Sequence, residues 1–194
     1  MRSAAPVLAA LATAALATGV AACSQQQAPS EASTPTGSAS ASPAASPLPT
    51  PVVLGETNDS DPDSVADAVA VALSVHDART DTSSQAVWTR ARPLLTGDLA
   101  ATVQAGGGAE VARPDGRWAM MQQHQAHDVV EQIDRHIDDP VPDTASKAQR
   151  QRAVSTRAYA DDGWNGQIRT TRYWLTLTNA GGAWRVSAVR SAID

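Results

Sequence analysis

The chain has no phenylalanine, two tyrosines, one cysteine and one lysine in 194 residues. A single cysteine, Cys23, excludes an intramolecular disulfide and any zinc site built from several thiolates. Lys147 stands alone against fourteen arginines, and the formal net charge is −5. A surface of that sign lacks the basic footprint that phosphate backbones require, so nucleic acid is not an expected partner. It also offers no extra electrostatic hold on anionic lipid. Beyond residue 22, no apolar run reaches the roughly 20 residues that a spanning helix needs. Gly106-Gly107-Gly108 lacks the following Gly-Lys-Ser/Thr of a phosphate loop. No Gly-x-Ser-x-Gly elbow is present. Asp59, Asp61 and Asp63 alternate as in a calcium loop, but its glycine and bidentate glutamate are missing. No catalytic residue, cofactor or metal is assigned on these grounds.

What is present begins with the position of Cys23. It follows Val20-Ala21-Ala22 at the end of an Ala-rich run from Ala4 to Val20, with Arg2 ahead of it. The run is weakly apolar and breaks at Thr18-Gly19, so residues 1–22 read as a cleaved signal rather than a transmembrane helix. The segment resembles a bacterial lipoprotein signal peptide with its lipobox. That resemblance implies cleavage before Cys23, a thioether-linked diacylglycerol on Cys23 and a fatty acyl group, such as palmitate, on the new N-terminus. Each buried CH₂ contributes about 0.8 kcal/mol, so two or more chains hold a protein where one would not. The expected location is the extracytoplasmic face of the cell membrane, lipid-anchored.

Residues 23–60 are expected to be the lipidated cysteine and a linker. The stretch from Ser24 is built from Ser, Thr, Ala, Gln and Pro, with prolines at 29, 35, 43, 47, 49 and 51. Too few apolar side chains are present to offset chain entropy, and disorder or polyproline conformation follows. Fully extended at about 3.1 Å per residue, such a linker reaches on the order of 100 Å from the membrane.

Residues 61–194 are then one folded domain. Asp61 is placed to cap a helix with Pro62 in its first turn. Val65, Ala68, Val69, Ala72, Leu73 and His76 follow as one stripe at the 3.6-residue period. A second helix fits Ser84 to Arg92, stopped by Pro93. A third starts at Thr96-Gly97, with Leu99, Ala100 and Val103 facing in, and ends at Gly106-Gly107-Gly108. The period then changes to two. Val154, Thr156 and Ala158 oppose Ser155, Arg157 and Tyr159, and Thr171, Tyr173, Leu175 and Leu177 share a face. Asn179-Ala180-Gly181-Gly182 signals a hairpin, and Trp184, Val186 and Ala188 are expected to continue the apolar alternation. From Met120 to Ile137 both helix and strand fit, with a strand favoured from Asp128.

Helices followed by a meander, with Trp88-x4-Pro93-Leu94-Leu95-Thr96-x2-Leu99 early and Tyr173-x-Leu175-x-Leu177, Gly182-x-Trp184-x-Val186 late, resemble the NTF2-like, or cystatin-cone, superfamily. The likeness includes VirB8-like components of conjugation systems. It implies an α+β fold in which N-terminal helices pack on a curved antiparallel sheet. A pocket between helices and sheet would be lined by Asp128, Tyr159 and Tyr173. These are the residue types of a ketosteroid-isomerase-like base and oxyanion donor, although their spacing carries no signature. The competing reading makes Tyr173 a core aromatic and Asp128 a solvated charge.

His124 and His127 share a face only if their segment is helical, and with His136 they match no metal spacing. Among the five tryptophans, Trp88, Trp174 and Trp184 sit in or beside apolar faces, whereas Trp118 and Trp164 adjoin Gly-rich turns. Trp164 and Trp118 are therefore the candidate anchors for a protein or envelope partner, against the plainer reading that Trp164 folds back over the sheet. The expected role is non-catalytic: binding such a partner, or self-assembly as a homo-oligomer through the sheet. The alternative is a small-ligand carrier or enzyme that uses the internal pocket.

Overall fold

The computed structural model of the chain describes residues 56–107, 116–135 and 141–194. Cys23, the lipobox, the linker up to residue 55 and His136 lie outside the described residues. Helix α1 spans Pro62–Ser74 and begins as the sequence predicts, with the Asp61 side chain accepting the Asp63 N–H at 3.0 Å. Its buried residues include Val65, Ala66, Val69, Ala70 and Leu73, a face turned from the expected stripe toward Ala66 and Ala70. The turn has a polar cause. Asp67 and Ser74 are drawn inward by partners on the sheet, which leaves Ala68 and Ala72 half-buried.

Helix α2 (Ala86–Ala91) runs into a 3₁₀ turn (Arg92–Leu94) that admits Pro93 near its start. Helix α3 (Gly97–Gln104) buries Val103 and half-buries Leu99 and Ala100, as expected. Helix α4 (Gly116–His124) resolves the first part of the ambiguous segment. It stops because Gln125 adopts φ +51°. The N–H of Gln125 then reaches the Gln122 carbonyl at 3.4 Å, and that of Ala126 reaches Met121 at 2.9 Å. This is a Schellman ending with glutamine in place of the usual glycine. The chain leaves it extended, and strand β1 (His127–Asp134) begins.

Strands β2 (Lys147–Tyr159), β3 (Arg169–Ala180) and β4 (Ala183–Ile193) complete a curved antiparallel meander in the order β1-β2-β3-β4. The β3–β4 turn is two residues, Gly181 at φ +65° and Gly182 at φ +89°. Side chains rarely adopt these angles, and they match the twist of a tight hairpin. The fold is α+β, with helices on one face of the sheet.

Strand alternation assigns two faces. Ala148, Arg152, Val154, Thr156 and Ala158 of β2 point toward the helices, as do Tyr173, Leu175 and Leu177 of β3. On β4 the expected alternation fails after Val186. A bulge between Thr176 and Leu177 leaves Ser187 as the extra residue, so Val189 follows Val186 inward and Ala188 turns outward, exposed. The inner face is filled. Trp88, Trp184, Tyr173, Leu175, Leu177 and the apolar face of α1 form one continuous buried cluster. Among the described residues no helix is long and apolar enough to cross a membrane.

Candidate functional site

Three polar constellations stand out, and their chemistry differs. The first ties α1 to the sheet. The Arg152 side chain, only 1% exposed, reaches Asp67 through Nε and Asp63 through Nη2, both at 2.5 Å. Arg135 adds a second contact to Asp67 at 2.6 Å, and Arg150 bridges Asp63 to Asp143 at 2.9 and 2.7 Å. Three arginines face three aspartates, so the charges cancel. The carboxyl of Asp63 is raised by burial but lowered further by its arginine partners, and stays below the ordinary range. A charge-balanced clasp of this kind positions elements.

The second constellation surrounds Asp128, whose side chain is fully buried. Arg117 of α4 grips both carboxylate oxygens, one of them at 3.0 Å. The backbone N–H of His76 donates to Oδ2 at 3.1 Å, and His76 Nδ1 lies 3.3 Å from the same oxygen. Burial pushes the Asp128 carboxyl up, but His76 and Arg117 outweigh it and hold the group below its usual range. It is therefore not the solvated charge considered above. A carboxylate whose oxygens are already taken by charged and backbone donors is a poor proton acceptor. Trp118 caps the cluster, its ring 5.9 Å from that of His76 at a 51° tilt.

Tyr173 sits on the inner face with its hydroxyl 3.0 Å from Ser74 Oγ, which is also 2.8 Å from the Ala70 carbonyl. Burial raises its pKa. Tyr159 leaves β2 on the opposite face and donates to Glu131 at 3.0 Å. Burial and that carboxylate raise its pKa in turn. Asp128 and Tyr173 thus face the helices while Tyr159 does not, so the three do not line one pocket. His124 closes α4 and His127 opens β1, so the two do not share a helical face. Among the described residues, no cluster of His, Cys, Asp and Glu has the makings of a metal site.

The candidate anchors are half-buried. Trp164 folds back and stacks on His124, ring centroids 4.7 Å apart and planes 4° apart, while His124 Nδ1 meets Asp162 at 2.7 Å. Trp118 packs on His76. The exposed tryptophan is Trp174, at 42%. It lies on the outer face of the sheet beside a groove of about 780 Å³ lined by Val141, Gln149, Gln151, Thr176 and Arg190 among others. The sequence did carry this signal. If Tyr173 and Leu175 point inward, Trp174 between them points out.

The outer face is ordered by register. Gln151, Trp174 and Arg190 form one row across β2, β3 and β4, and Gln149, Thr176 and Ala188 form the next. On the far side of the tryptophan row lie Ala153, Arg172 and Ala192. The alanines keep the floor low on both sides of the indole. An exposed aromatic platform between an amide and a guanidinium offers a flat apolar surface flanked by hydrogen-bonding groups. No protein-family model matches this chain, and no curated protein matches it.

Proposed function

We propose that the protein is a lipid-anchored extracytoplasmic binding protein that presents a small NTF2-like domain to a protein or envelope partner, or to further copies of itself. The reading of the anchor rests on Val20-Ala21-Ala22-Cys23 and the apolar run before it. The NTF2-like assignment rests on helices seated on one face of a curved antiparallel meander. One observation carries the non-catalytic reading: among the described residues the side chains between helices and sheet form one continuous buried cluster, and the exposed tryptophan stands on the opposite face. A carrier or isomerase of this architecture needs the inner space open. Here Leu175 and Leu177 fill it, and its buried acid is bound by Arg117.

The test uses the full-length protein in its native envelope. After gentle detergent extraction, the wild type is expected to migrate as part of a larger assembly. Trp174→Ala should migrate at the size of the free protein while keeping the wild-type melting temperature. An unchanged assembly in Trp174→Ala would remove the outer face from the account.

A further inference from the structure

We infer that the groove beside Trp174 is a carbohydrate-binding site whose ligand is a sugar chain bearing carboxylates. This rests on the binding role proposed above and names the chemistry of its partner. The argument starts from what the row Gln151–Trp174–Arg190 offers. Neighbouring strands are about 4.8 Å apart, so an amide and a guanidinium flank the indole within one sugar ring's breadth. A pyranose has one face of C–H groups, which lies flat on an indole, and a rim of hydroxyls. Gln151 and Gln149 each supply a donor pair and an acceptor, and the Thr176 hydroxyl does both, which suits such a rim.

The charge decides between neutral and acidic sugars. Of the arginines on this face, Arg172 is paired with Asp194 at 2.9 Å and Arg185 with Asp59 at 2.6 Å. Arg150, also at the groove, is neutralised by Asp63 and Asp143. Arg190 has no ion pair among the described residues. A guanidinium prefers the planar, two-oxygen acceptor that a carboxylate provides. An apolar partner would leave Gln151 and Arg190 desolvated and unpaired, whereas an acidic sugar satisfies both. The groove volume, about 780 Å³, lies within the range of small-ligand sites.

The experiment titrates full-length protein in detergent micelles with a galacturonic acid oligosaccharide and with its methyl ester, which keeps the sugar rings and hydroxyls and removes the carboxylate charge. Binding is read by tryptophan fluorescence and calorimetry. The acid is expected to bind saturably with Kd below about 1 mM, and the ester at least about tenfold more weakly. Arg190→Gln should bind both alike, and Trp174→Ala neither. Absence of saturable binding to the acid, equal binding of acid and ester, or binding that survives in Trp174→Ala overturns the inference. If sugar binding fails while Trp174→Ala still breaks the envelope assembly, the face recognises protein and only the carbohydrate is lost. If neither responds, the binding role falls with it.

Discussion

Asp128 shows at the scale of one residue why burial and partners must be weighed together. Desolvation alone would make it a raised, proton-hungry acid. His76 and Arg117 reverse that sign and hold its carboxyl below the ordinary aspartate range. Asp128→Asn leaves the Arg117 guanidinium facing a neutral amide, and the loss expected at neutral pH is about 3–5 kcal/mol, measured by urea unfolding. The pH dependence has a definite direction. The folded pKa of Asp128 lies below the unfolded value, so its contribution is whole above the ordinary aspartate pKa and drains away as pH falls through the folded one. Stability curves of wild type and Asp128→Asn should converge in acid, and parallel curves down to the lowest pH would refute the assignment. The tryptophans teach a related lesson. Proximity to glycine-rich turns pointed to Trp164 and Trp118, yet both found histidine rings to cover them. Trp174, read from the sequence as sitting in or beside an apolar face, is the exposed one, as strand parity with Tyr173 and Leu175 inward requires.

At the scale of elements, the parts with strong local signals were legible in advance. Asp61-Pro62 opened α1, Gly181-Gly182 turned the last hairpin, and alternation sorted β2 and β3 into faces. The parts that escaped depend on tertiary or irregular features. Helix α4 ends on a left-handed glutamine, which no propensity announces. The β4 bulge at Ser187 shifts register by one and sends Ala188 out, and nothing in the apolar pattern marks it. The rotation of α1 comes from Asp67 meeting Arg152, a pair 85 residues apart. Parity on β2 does place Arg152 on the inner face, but its partner appears only once α1 is docked. This clasp predicts a double-mutant result. Arg152→Met alone leaves Asp67 with Arg135 as its one cation and should cost about 3–5 kcal/mol, whereas Arg152→Met with Asp67→Leu should recover most of it. Thermal unfolding of the three variants checks this, and equal losses in single and double mutants would mean the pair does not act as a unit.

For the whole molecule, the proposed function combines a lipid tether at Cys23 with recognition by the outer face of the sheet. The tether has its own test. Cys23→Ala is expected to move the protein from the membrane fraction to the soluble or secreted fraction, followed by fractionation and immunoblot. Retention in the membrane with residues 1–22 still attached would make the N-terminal run a membrane helix instead. The domain divides its labour between the two faces of one sheet. The inner face carries a buried apolar cluster and two ion clusters, and the outer face keeps an exposed indole, amides and a cation.

Amide hydrogen exchange on the full-length protein, compared between native envelope and detergent extract, tests that division most directly. The account predicts slower exchange in the envelope for segments 149–153, 172–176 and 188–191, with α1 and α4 unchanged. Protection that falls on the helices, or on no part of the domain, would contradict it.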